Sequence, residues 1–401
     1  KELLEIQTED GPYSSSFLGS GDKAKVISAL KSVPKAYEKW LKRQASLTGG
    51  LSKYHQQQAK AHLQNCEKVN DRILKSIEYL SSEAGKEAFV AFQAANRALN
   101  LQSNWSGKGE LTWRPFQIGF QLLVLHSLAD EQHADRQVLD LLWFPTGGGK
   151  TEAYLGLVAF TLFHSRLSKG SNPNAGAGVN VLMRYTLRLL TTQQFQRAAR
   201  LVTACEYLRL TDPKLKNNLG TRRFSLGLWV GKGATPNKLA EVYKDPRERE
   251  KAKQIVNCPC CSSTNLNWGN DEANKARFSV VCTNSQNCFF SKNSLELPVW
   301  TVDEDIYREL PSLIIGTIDK FAQVCREPQT RRLFGVGTNF DCPALIIQDE
   351  LHLISGPLGT ITGLYEIAID ELCASKGVAP KIIASTATIK NAASQIRALF
   401  N

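Results

Sequence analysis

Two short segments carry the residue types that bind and split a phosphoanhydride. Phe144-Pro145-Thr146-Gly147-Gly148-Gly149-Lys150-Thr151 follows an apolar run and opens a helical one, the setting a phosphate loop requires. Three successive glycines let backbone amides curl around a phosphate without Cβ collisions, and the helix N-terminus adds its dipole. Lys150 is then expected to neutralise the β and γ phosphates of ATP and the Thr151 hydroxyl to hold Mg2+, with Thr146, Gly147, Gly148, Gly149 and Glu152 completing the nucleotide contacts. The first position of such a loop, usually Gly or Ala, is Phe144 here. The second segment, Ala344-Leu345-Ile346-Ile347-Gln348-Asp349-Glu350-Leu351-His352, is an apolar strand that delivers two carboxylates at its carboxyl end, where doubly wound sheets place their ligands. Asp349 is expected to bind the magnesium, Glu350 to orient and deprotonate the attacking water, and His352 to link this site to the segment that follows.

A third cluster is sulfur. Five of the ten cysteines lie between Cys258 and Cys288, which argues for a metal site in a reducing compartment rather than a disulfide framework. Cys258, Cys261, Cys282 and Cys288 are the expected ligands of one Zn2+, because Cys-x-x-Cys lets two sulfurs converge on one ion while Cys260 points away. The second knuckle is wide, with five residues between its cysteines. Four thiolates leave no position for water, so this zinc would be structural.

These groups need a scaffold. Short apolar runs at Leu139–Trp143, Val179–Met183, Phe224–Val230, Leu313–Ile315, Leu345–Ile347 and Lys381–Ala384 alternate with helical stretches. That pattern predicts an α/β fold with a mostly parallel sheet and helices on both faces, over residues 111–401, with the cysteine insertion at 257–292. Residues 1–110 read as a helical N-terminal arm, with Val26, Leu30, Val33, Tyr37 and Leu41 at helical spacing and a break at Gly49-Gly50.

The chain has 401 residues, 42% of them hydrophobic, enough to bury a large core. No apolar run approaches the roughly 18 to 20 residues of a membrane helix, so no membrane partner and a cytoplasmic location are expected. A net charge of +11 points to a polyanion partner. Lys1 at the start and Met183 as the single methionine suggest a piece of a longer polypeptide.

Asp349-Glu350-Leu351-His352 resembles motif II of the DExH group of superfamily 2 helicases, which implies a RecA-like P-loop NTPase lobe. Arg114-Pro115-Phe116-Gln117 resembles the Q-type motif, implying that Phe116 and Gln117 meet the adenine. Ser385-Thr386-Ala387-Thr388 resembles motif III, implying that Thr386, Ala387 and Thr388 couple hydrolysis to grip on nucleic acid. Arg184, Tyr185, Thr186, Arg188 and Gln193 stand where motif Ia would, and Gly231, Thr317 and Lys320 where Ib and Ic would; such hydroxyl, amide and cationic groups bind a phosphate backbone without reading sequence. A charged amphipathic helix would supply the same residue types.

Longer stretches, among them Gly227–Asn237, Val302–Tyr307 and Ile346–Tyr365, resemble the helicase subunit of the DISARM anti-phage defence system. The resemblance implies a bacterial, restriction-like role, a DrmB-type partner subunit, and DNA with a single-stranded end. Two other classes share these motifs: an ATP-gated loading or scaffold module with little unwinding, and an RNA-remodelling enzyme. No second RecA-like lobe is read in these 401 residues, so weak turnover is expected of them alone.

Overall fold

The computed structural model describes residues 13–144, 147–170, 174–186, 188–269, 276–387 and 392–400, the side chains of 188–192 excepted. The N-terminal helices are Ser15–Ser20 (α1), Lys23–Ser46 (α2), Lys53–Ser81 (α3) and Lys86–Trp105 (α4), followed by Pro115–Ala129 (α5). Local chemistry sets their starts: Asp22 accepts from the Ala24 and Lys25 amides, and Ser52 from the His55 amide. A 3₁₀ turn at Leu47–Gly50 replaces helix at the paired glycines, as expected.

Strand and helix then alternate. Asp140–Trp143 (β1) leads into Lys150–Leu167 (α6), Val181–Tyr185 (β2) into Arg188–Thr211 (α7), and Leu226–Trp229 (β3) into Leu239–Lys244 (α8) and Pro246–Ala252 (α9). The cysteine segment folds as an antiparallel hairpin of Leu266–Trp268 (β4) and Val280–Cys282 (β5), capped by Phe289–Lys292 (α10). Val299–Trp300 (β6), Asp303–Glu309 (α11), Leu313–Thr317 (β7), Leu345–Gln348 (β8), Gly356–Ala374 (α12), Lys381–Thr386 (β9) and Ala392–Phe400 (α13) complete the order.

Seven strands form one sheet in the order β1-β9-β8-β2-β7-β3-β6, and every pairing in it is parallel. The α/β class expected from the apolar runs is thus the observed one. Alternation along each strand feeds two cores. Val181, Met183, Ile315 and Ile347 turn toward α4 to α7, whereas Leu182, Ile314 and Ile346 turn toward α11, α12 and α13. Each such side chain is buried and worth about 1.5 to 3 kcal/mol. The first core continues into the N-terminal helices: α4 packs along α6, and its Ala91, Ala94, Ala95 and Ala98 are buried in the same cluster as Leu155 and Leu162. No helix among the described residues is long and apolar enough to cross a membrane.

Candidate functional site

The parallel order brings the carboxyl ends of β1, β9 and β8 side by side, with Trp143 opposite Thr386 and Gln348 opposite Ala384. Beside that edge lies a cleft of about 670 Å³ whose walls include Gln117, Gly147, Gly149, Lys150, Thr151, Glu152, Asp349 and Glu350. The two segments read as chemical from the sequence therefore meet in space. Thr146 and Thr388 lie outside the described residues.

The loop is held open from behind. Gln117 accepts from the Arg114 amide at 2.8 Å and donates to the Gly149 carbonyl at 2.8 Å, while the Arg114 guanidinium donates to the Gly148 carbonyl at 2.8 Å. Gly149 has φ of +92°, a backbone conformation that favours glycine, and it approaches the Gln117 amide closely. The unusual Phe144 is explained by its neighbour: its ring stacks on Phe116 with centroids 3.9 Å apart and planes within 8°. Phe116 faces an apolar cavity shared with Tyr37, Phe120 and Trp143, beside the loop.

Lys150 is 7% exposed, and among the described residues its Nζ has no hydrogen-bond partner and its nearest opposite charge is Glu350 Oε1 at 3.9 Å. A buried ammonium left in this state costs free energy that an anionic ligand would recover. Asp349 Oδ1 accepts from the Glu350 amide at 3.0 Å, from the Tyr154 hydroxyl at 3.3 Å and from the Ser385 hydroxyl. Burial first, and then the Asp349 charge, raise the Glu350 carboxyl above its ordinary range, while Lys150 and His352 pull it back. Glu350 also occupies the left-handed region at φ +48°, a strained place for a side chain, of the kind that clusters at active sites. His352 Nδ1 lies 3.4 Å from Glu350 Oε2 and 3.1 Å from the Thr386 hydroxyl, so it physically joins the acidic pair to β9. Ala387 accepts from the Trp143 indole at 3.1 Å, which ties the same segment to the strand before the loop.

Three contributors escaped sequence reading. Tyr154 stands one helical turn after Lys150 and so shares its face, a signal that was present. Ser385 was read only as part of a motif. Arg197 on α7 lines the cleft and pairs with Glu152, a contact no local pattern announces.

The expected nucleic-acid residues divide. Arg184 is fully buried: the pleat turns it into the second core, where it pairs with Glu366 on α12 and lies over the Phe321 ring. Lys320 is 2% exposed and bonded to Asp303 at 2.6 Å, and Thr317 is fully buried at the end of β7. Tyr185 is buried and lines the nucleotide-sized cleft instead of an outer surface. These four are core or cleft groups. Gln193 is exposed, Thr186 and Gly231 are half-buried, and the Arg188 side chain lies outside the description.

In the cysteine module, Cys258, Cys261, Cys282 and Cys288 bring their sulfurs within 4.8 Å of one another. The closest pairs, Cys258 with Cys288 and Cys261 with Cys282, are 3.7 Å apart. Sulfurs around a tetrahedral zinc at about 2.3 Å are separated by about 3.8 Å, so this quartet could hold zinc as it stands. The module leans on α7 and on the end of α4: Phe289 packs edge-on against Tyr207 at 4.8 Å, and the Ser262 hydroxyl donates to the Trp105 carbonyl at 3.0 Å.

No protein-family model matches the chain. It is 39% identical, over 96% of its length, to "DISARM protein DrmA" of Bacillus paralicheniformis, and it covers 39% of that protein. The chain thus spans about two-fifths of the curated relative it matches. With that identity running almost from end to end, the chain belongs to the same family as DISARM protein DrmA.

Proposed function

We propose that the chain is the ATP-binding part of a DNA helicase or translocase subunit in a bacterial, cytoplasmic anti-phage defence system, working beside a DrmB-type partner. The observation that carries this reading is the buried Lys150 ammonium, without a hydrogen-bond partner among the described residues, facing Glu350 across the cleft, with the glycine loop on one side and Asp349 on the other. This is the arrangement a nucleoside triphosphate needs: backbone amides and a cation for its phosphates, and a carboxylate for the attacking water.

In this reading Thr151 and Asp349 hold Mg2+, which when bound offsets charge on the phosphate oxygens. Tyr154, Ser385 and the Glu350 amide fix Asp349 in one orientation. Glu350, its carboxyl raised by burial, accepts the proton of a water lined up with the terminal phosphate. Gln117 holds the loop while presenting its amide to the cleft. His352 transmits the state of Glu350 to Thr386 on β9. The cysteine quartet holds a structural zinc that braces the outer side of α7, whose inner side carries Arg197 to Glu152.

Steady-state ATP hydrolysis by the full-length protein, in the presence and absence of DNA, tests the reading. The expected result is stimulation of about tenfold or more by DNA with a single-stranded end, an energy of about 1.4 kcal/mol in the barrier. Equal rates with and without DNA, or stimulation by RNA alone, would refute it.

A further inference from the structure

The chain's positive charge is concentrated in one N-terminal stretch. Residues 23–66 hold nine Lys and Arg and one acidic residue, Glu38, so this stretch accounts for +8 of the total +11 and leaves +3 for all the rest. It forms the antiparallel pair α2 and α3, helices of 24 and 29 residues, each about 36 to 44 Å long. Residues 42–68, the distal part of that hairpin, contain no buried side chain. They therefore add nothing to either core, and their like charges repel one another in the free protein. Lys31, Lys35 and Lys39 are all exposed and spaced by four, which sets them about 6 Å apart on one face of α2. Lys53 and Lys60, also exposed, are spaced by seven and share a face of α3. Glu38 is already paired with Lys42 at 2.6 Å.

We propose that the α2–α3 hairpin is a binding surface for the phosphate backbone of duplex DNA, distinct from the cleft that Lys150 lines. A rigid rod bearing rows of ammonium groups matches the dense, regular charge of a duplex, where each neutralised phosphate releases counterions. A single strand would be held by stacking platforms, and here Tyr37 and Trp40 stack on each other, leaving Tyr54 as the exposed ring. The hairpin offers point charges, so binding is independent of sequence. The choice of DNA rests on the function proposed above; the position of the surface does not.

The test is fluorescence anisotropy of a blunt duplex across a salt series, with the parent chain and with K35Q/K39Q/K53Q/K60Q. A control with four exposed lysines replaced elsewhere, K214Q/K216Q/K244Q/K292Q, matches the change in bulk charge. Circular dichroism checks that each variant is folded, and ATP affinity is measured on the same samples. The expected result is at least about tenfold weaker duplex binding by the hairpin variant at 0.1 M salt, with a salt slope shallower by about two to four, ATP affinity unchanged, and the control close to the parent. Equal affinity and slope in parent and hairpin variant would overturn the assignment and leave the DNA reading standing. Equal losses in variant and control would reduce the effect to bulk charge, and competition by polyglutamate as effective as by duplex would show a general anion surface; either overturns it. Parent protein that binds no DNA at all would remove the functional reading and this one together.

Discussion

Serine at both Cys258 and Cys282 is expected to remove one zinc per chain and to detach the cysteine module from α7. Each residue belongs to a different close pair, so the double change leaves one sulfur of each pair without its partner. The module's own elements are short, two three-residue strands and a four-residue helix, although Trp268, Phe278, Val280 and Phe290 pack into the main core. Apparent binding energies of structural zinc in small modules are about 10 kcal/mol or more, comparable to several buried apolar side chains. Elemental analysis should read one zinc in the parent and none in the variant. Amide exchange should show residues 257–292 losing protection while β2, β7 and β8 keep theirs. Serine at Cys260 should leave the zinc in place, because its sulfur is not one of the converging four. A parent free of zinc, or loss of zinc on changing Cys260 alone, would refute the ligand set.

Gln at Glu350 is expected to slow ATP turnover by about 10² to 10⁴ with nucleotide affinity preserved within a few-fold. The amide keeps the size of the side chain and its contact with His352 but has no basic oxygen for a proton. Removing a carboxylate 3.9 Å from Lys150 also relieves the ammonium of a competing partner, so ATP should bind at least as well as in the parent. Single-turnover hydrolysis beside equilibrium binding separates the two effects. An unchanged rate would move the base elsewhere, and a large loss of affinity with an unchanged rate would make Glu350 a binding group only.

The parts of the molecule legible in the sequence are those whose causes are local. Strands buried on both faces are apolar along most of their length, so β2, β7 and β8 are legible, and glycines beside Lys150 mark their own backbone need. What escaped depends on partners distant in sequence. Whether Arg184 meets DNA or a core carboxylate turns on which face of β2 it takes and on Glu366, 182 positions later. Lys320 and Asp303 are a similar case, two ionisable residues made compatible with burial by each other. Phe144 looked like a defect of the phosphate loop until Phe116 was found stacked on it. The β4–β5 hairpin is short and half polar, with a burial pattern its composition does not reveal.

The central claim is that the cleft receives the phosphates of ATP on Lys150. Its most direct test is calorimetric titration of magnesium and ATP into the parent chain and into Lys150→Ala, both shown to be folded by their melting transitions. The account predicts one site per chain in the parent and an affinity at least about tenfold weaker in the variant, since a charge-assisted contact to phosphate contributes about 1.5 to 3 kcal/mol. Equal affinities for parent and variant, or no binding to the parent, would contradict it.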